Sequence, residues 1–223
     1  MLQLINIHTL CLYNTEVTDA SISKLTNIHT LRVSNTHVTD AVISKLVNIH
    51  TLNLRETSIT DVGISTLTDI YALCLINTKV TDIGISKLIN VRILYLDDTN
   101  VTDISVEKLT NIHTLSLCNT KVTDASISKL TSAYNLCLNN TNITDISISK
   151  LTNLHTLAVC GCPGVTDVSV LKLVNAHELY LRDTNITDNA VSKLTNLRVL
   201  SLGYTKVTQE CIEKLRSRGC DIR

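Results

Sequence analysis

Leu4, Leu25, Leu46, Leu67, Leu88, Leu109, Leu130 and Leu151 stand 21 residues apart. After one 22-residue step to Leu173, the 21-residue interval returns at Leu194. This period constrains the fold more than any local propensity, because so short a unit cannot bury its own apolar face. Stacking copies turns those faces into one shared core. Ten repeats starting at these leucines fill the chain, with no linker and no change of composition between them, which predicts a single domain over residues 1–223. The last repeat, "VTQECIEKLRSRGCDIR", replaces turn residues with charge and ends near the apolar Ile222, as a C-terminal cap over about 209–223 would. The chain begins inside a repeat. Either Leu4, Ile7 and Leu10 expose an apolar edge there, or another segment or subunit covers it.

The second repeat shows the plan of all. Its aliphatic positions are Leu25, Ile28, Leu31, Val33, Val38 and Ile43. Leu31 and Val33 alternate with Thr30, Arg32 and Ser34, the period-two signature of a short strand. The turn "NTHVTD" follows, then "AVISKL", where Ile43 and Leu46 share one helical face. Thr39 or Asp40 suits the helix N-cap, and Asn48 suits a left-handed residue at its end. So short a helix is unstable alone and needs its neighbours. The expected architecture is a right-handed α/β solenoid with a parallel sheet on the concave side and short helices on the convex side.

Nine repeats carry Asp at the helix start (Asp19, Asp40, Asp61, Asp82, Asp103, Asp124, Asp145, Asp167 and Asp188), with Gln209 in the tenth. Nine carry Lys near the expected helix end (Lys24, Lys45, Lys87, Lys108, Lys129, Lys150, Lys172, Lys193 and Lys214), with Thr66 in the third. Both placements favour the helix dipole by roughly 0.3–1 kcal/mol each. These ladders account for 18 of the 40 charged residues, and the formal net charge of zero largely follows. They are structural acids and bases, distinct from an active site or a basic stripe. Zero net charge argues against nucleic-acid binding by bulk attraction. No apolar run is long enough for a membrane span, and "MLQLINIHTL" lacks the pattern of a signal peptide.

"LTNIHTLRVSNTHVTDAVISKL" resembles the leucine-rich repeat, LxxLxLxxNxL, with Thr in the usual Asn place. "LAVCGCPGVTDVSVLKL" in repeat eight resembles the cysteine-containing subclass, LxxLxLxxCxxITDxxLxxL. Cys162 stands where the other repeats have Thr15, Thr36, Thr57, Thr78, Thr99, Thr120, Thr141, Thr184 and Thr205. The resemblance implies that these side chains turn inward and bond the backbone of adjacent turns as a ladder. It covers all ten repeats and is specific for fold, whereas one scaffold hosts many unrelated partners. Similar repeats occur in F-box ubiquitin-ligase adaptors, in bacterial and protist proteins, and in trypanosomatid proteins labelled as cyclase regulators.

Strand residues facing away from the core change from repeat to repeat. Between the strand aliphatics stand Cys11, Arg32, Asn53, Cys74, Tyr95, Ser116, Cys137, Ala158, Tyr180 and Ser201. Two residues on come Tyr13, Ser34, Arg55, Ile76, Asp97, Cys118, Asn139, Cys160, Arg182 and Gly203. A surface adapted to an irregular partner varies in this way; drift at unconstrained positions leaves the same pattern. All six tyrosines fall on or beside this face. Tyr and Arg dominate protein-binding hot spots, which selects Tyr180, Arg182, Asp183 and Tyr204 first. Arg32, Arg55, Glu56, Tyr95, Asp97 and Asp98 form a second group, with Tyr13 on the first repeat.

Six histidines (His8, His29, His50, His113, His155 and His177) share the place before the strand, where neighbours can stack. Tyr71, Arg92, Tyr134 and Arg198 take that place elsewhere, an exchange no metal site tolerates. The eight cysteines form no regular disulfide framework, which suits reduced thiols in a cytoplasmic setting. Cys11, Cys74 and Cys137 are three repeats apart, and Cys118 lies diagonal to Cys137 on the neighbouring strand. No nucleophile–base set and no phosphate-cradling glycine loop is visible among six glycines. The expectation is a scaffold or adaptor, not an enzyme, with neither cofactor nor metal. It would bind a protein on its concave sheet face, with no nucleic-acid or membrane contact. The alternative is a structural or self-assembling element, or part of a larger regulator, docking through its N-terminal edge.

Overall fold

Alternation fixes the strands. Leu31 and Val33 are fully buried while Arg32 between them is exposed, and the later repeats keep both flanking aliphatics buried with the residue between them at least partly exposed, except at β6, where the small Ser116 is buried as well. The computed structural model describes residues 7–25 and 27–223, so the expectation for Leu4 lies outside the described residues. The chain forms two compact halves, Met1–Ile112 and His113–Arg223.

The first half runs β1 (Thr9–Cys11), α1 (Asp19–Ile22), β2 (Thr30–Arg32), α2 (Asp40–Ile43), β3 (Thr51–Asn53), α3 (Asp61–Ile64), β4 (Ala72–Cys74), α4 (Asp82–Ile85), β5 (Ile93–Tyr95) and α5 (Asp103–Val106). Its strands are parallel and in sequence order, with Leu10, Leu31, Leu52, Leu73 and Leu94 side by side. The second half runs β6 (Thr114–Ser116), α6 (Asp124–Ile127), β7 (Asn135–Cys137), α7 (Asp145–Ile148), β8 (Thr156–Ala158), α8 (Asp167–Val170), β9 (Glu178–Tyr180), α9 (Asp188–Val191), β10 (Val199–Ser201), α10 (Gln209–Ser217) and β11 (Asp221–Ile222). Here Leu115, Leu136, Leu157, Leu179, Leu200 and Ile222 align.

The 22-residue repeat keeps this register by placing its extra residue in the turn after β8. Gly164 there approaches the preceding repeat so closely that a Cβ would lie 2.7 Å from Thr144 Cγ2 and 3.0 Å from the Ile143 carbonyl oxygen. Only glycine fits without displacing that backbone.

The aliphatic positions read from repeat two are all buried, and their counterparts fill the core between strands and helices. In repeat one, Leu10, Leu12 and Val17 are half-buried, whereas Leu31, Val33 and Val38 are fully buried.

Four local expectations need correction. The helices α1 to α9 are single turns of four residues, ending before the lysine; α2 stops at Ile43 and no basic residue lies in its last turn. Lys45 and its equivalents therefore do not cap a helix dipole, and only Lys214 sits inside a helix, in the nine-residue α10. Second, the left-handed residue is not Asn48 but Asn35, at φ 51°, in the turn after the strand.

Third, the two N-cap candidates divide the work. Thr39 Oγ1 accepts from the Ala41 N–H and caps its own helix, while Asp40 faces the next repeat. Asp40 accepts from the Thr60 N–H at 2.9 Å and from the Thr60 hydroxyl at 2.5 Å. Thr144 donates to Asp124 in the same way at 2.9 and 2.6 Å. Fourth, the inward Thr bonds its own turn, as Thr36 Oγ1 donates to the Val33 carbonyl at 2.6 Å. Cys162 does reach the preceding repeat, its thiol 3.2 Å from the Leu138 carbonyl oxygen.

Candidate functional site

Each repeat makes the same tight turn after its strand, and the turn requires one residue with positive φ. Asn14, Asn35, Asn77, Asn119, Asn140, Asp98, Asp183 and Gly161 fill eight of these places. These residue types tolerate the left-handed conformation. Glu56 (φ 56°) and Tyr204 (φ 57°) fill the other two, and they do not. Both sit beside an arginine of the sheet face. Neither departure was singled out in the sequence, where only the run of Asn at this place could have revealed it.

In the second half, Arg182 connects three of the four residues selected first. Its Nε lies 3.3 Å from Asp183 Oδ2, and its guanidinium lies over the Tyr204 ring, 5.0 Å from the centroid. The arginine stem runs beside Gly203, where a Cβ would lie in ordinary contact with Arg182 Cγ at 3.4 Å. Tyr204 is 77% exposed, so the ring–guanidinium pair stands out from the surface. Tyr180 is turned to other partners. Its hydroxyl donates to Glu178 Oε2 at 3.2 Å. Burial first, then that hydrogen bond to the carboxylate, pushes its phenol above the ordinary tyrosine value. Glu178, and Arg223 whose charge reaches Tyr180, were not foreseen because Glu178 precedes the strand leucine and Arg223 follows the last strand, outside the two outward positions compared between repeats.

In the first half, Arg32 and Tyr95 line one hollow of the sheet face together with His50, Asn53, Tyr71 and Cys74. Burial pushes the Cys74 thiol above its ordinary value. Arg55 pairs with Glu56 (Nη2 to Oε1, 2.9 Å) outside that hollow, and Asp97 acts on Cys74 through its charge. Asp98 holds the left-handed turn position, and the exposed Tyr13 belongs to the first repeat, away from the hollow's lining.

Stacked rings precede the strands in both halves, and in the first half His50 and Tyr71 also line the hollow. His29, His50 and Tyr71 form one column, with centroids 5.3 and 4.8 Å apart. His113, Tyr134, His155 and His177 form another at 5.1, 4.9 and 4.3 Å. The tyrosines that replace histidine thus continue the stack. Among the described residues no three His, Cys, Asp or Glu side chains converge as a metal-ligand set. Among them, too, no helix is long and apolar enough to cross a membrane.

The arrangement can be compared with known proteins. The chain is similar to an internalin (inlF) from Listeria monocytogenes, with a TM-score of 0.72 at 24% identity, over 91% of this chain and 69% of that one. It is similar to internalin C2 (inlC2) from the same organism, with a TM-score of 0.63 at 27% identity, over 88% of this chain and 80% of the other. The fold is that of leucine-rich-repeat proteins. A TLR13–ssRNA13 complex shares it, with a TM-score of 0.64 at 20% identity, over 92% of this chain and 33% of that one. No protein-family model matches the chain, and no curated protein does. Leucine-rich-repeat folds serve protein interaction in general.

Proposed function

We propose that this chain is a non-enzymatic scaffold or adaptor that binds a protein partner on its sheet face. The observation that carries the reading is the coincidence at the left-handed turn. The two repeats that abandon Asn, Asp or Gly there place Glu56 beside Arg55 and Tyr204 against Arg182. A side chain kept where it strains its backbone, and exposed beside an arginine, has a use outside the fold. Tyr and Arg are the residues that anchor interfaces. Arg182, Asp183, Tyr204 and the adjacent Tyr180 form the primary anchor. Arg32 and Tyr95 in the first-half hollow, with Arg55, Glu56, Asp97, Asp98 and Tyr13 around it, form the second.

The zero net charge supports a protein over a nucleic acid as partner. Cys11 and Cys74, three repeats apart, support cysteines that rest as thiols in the cytoplasm. Cys162, buried at the inward Thr position and bonded to the Leu138 carbonyl, supports the cysteine-containing subclass of repeat.

Affinity capture from the source cell tests the reading, comparing the chain with a folded variant carrying Tyr180→Asp and Arg182→Asp. One protein enriched by the first and absent from the second is the expected result. Equal enrichment by both would move the contact off this face.

A further inference from the structure

The repeat geometry brings a sheet-face side chain into contact with the one 19 residues further on, across the diagonal between neighbouring strands. In the first half Ser34 Oγ donates to Asn53 Oδ1 across this diagonal at 2.8 Å. The same diagonal in the second half holds two cysteines: Cys118, just after β6, and Cys137, at the end of β7. Their sulfurs lie 2.9 Å apart. A disulfide bond is about 2.05 Å long, so the sulfurs need to approach by less than 1 Å. Both side chains are half-buried on the sheet face, within reach of a small oxidant.

We propose that Cys118 and Cys137 form a reversible disulfide bond when the chain meets a low-molecular-weight disulfide such as oxidised glutathione. One thiol loses its proton to solvent, and its thiolate attacks a glutathione sulfur, breaking that S–S bond and releasing one glutathione thiolate. The other protein thiol, likewise deprotonated, attacks the cysteine sulfur of the mixed disulfide. This closes the Cys118–Cys137 bond and releases the second glutathione thiolate. Two electrons pass from the protein to the oxidant, and a reducing thiol reverses both steps.

The pair is singled out among the eight cysteines. Cys162, Cys211 and Cys220 are buried, and burial pushes each of these thiols above the ordinary cysteine value. Burial does the same at Cys74 and Cys160. Cys11 is exposed but belongs to the first repeat. The oxidised pair would replace two hydrogen-bonding thiols on the sheet face with one neutral apolar bridge.

The test incubates the full chain with oxidised glutathione, alkylates the remaining thiols, and digests with trypsin. The expected product is a monomer with two fewer alkylated thiols and one linked peptide pair, residues 109–121 joined to residues 130–150. Dithiothreitol should restore both peptides. The Cys118→Ser variant, which keeps a small polar side chain like that of Ser34, should lose the linked pair and remain a monomer. Full alkylation after incubation, stable glutathione adducts on Cys118 or Cys137, a link to Cys160, or a dimer joined through Cys11 would each overturn the proposal.

Discussion

Tyr204 and Leu94 show how much one position decides. Leu94 is fully buried and its neighbour Tyr95 is 37% exposed. Leu94→Ala should therefore destabilise the chain by about 2–5 kcal/mol through the cavity it leaves, while Tyr95→Ala should leave the unfolding midpoint in denaturant nearly unchanged. At position 204, Asn and Ala both remove the ring over Arg182, but only Asn suits a left-handed residue. Tyr204→Asn should be more stable than Tyr204→Ala by about 1 kcal/mol, measured by urea unfolding. Equal stability would mean the turn relaxes freely, and Tyr204 would lose its claim as a side chain kept for binding. The inward and outward positions were legible in the sequence because a period of two permits only one assignment. The left-handed turn was not, since its dihedral angle leaves a mark only through the run of Asn and Asp, which Glu56, Gly161 and Tyr204 interrupt.

Between element and element, the Asp–Thr contact recurs along the chain, from Asp19 with Thr39 to Asp188 with Thr208. Asp82 accepts from the Thr102 N–H (2.9 Å), the Thr102 hydroxyl (2.6 Å) and the Ser105 hydroxyl (2.6 Å). Burial alone would push its carboxyl up, but these donors outweigh burial and hold it below the ordinary aspartate value. The same balance lowers Asp124 and Asp145. Asp188 is lowered first by the Thr208 backbone N–H and then by its hydroxyl. A carboxyl lowered by folding binds its proton more readily in the unfolded chain. Its stabilisation is therefore complete above the unfolded value of about 3.9 and is lost as pH falls through the folded value. Unfolding followed by circular dichroism should accordingly show stability flat near neutrality and falling below about pH 4. Asp82→Ala should lower stability by about 1.5–3 kcal/mol and flatten that fall. The sequence predicted the Asp ladder but assigned it to the helix dipole, because an acid after Thr looks the same whether it serves its own helix or the next repeat. The lysines misled in the same way: a helix of one turn ends before a residue that a longer helix would have included.

Across the whole chain, stability is built from neighbours. Within the first half each interior strand bonds only the strands before and after it, as β3 bonds β2 and β4. Such arrays gain stability repeat by repeat. A chain carrying a second copy of residues 67–87 should fold with the same ellipticity per residue and melt no lower than the original. The constant positions thus explain the scaffold, and the varied sheet face is what remains for recognition. A binding titration with the captured partner tests that division most directly. It compares the parent chain, the Tyr180→Asp and Arg182→Asp variant, and a variant carrying Ile146→Ser and Val168→Ser on the exposed side of α7 and α8. The expected result is a loss of about 2 kcal/mol or more, roughly thirty-fold in Kd, for the sheet-face variant alone. Affinity retained by that variant and lost by the helix-side one would contradict the assignment of recognition to the sheet.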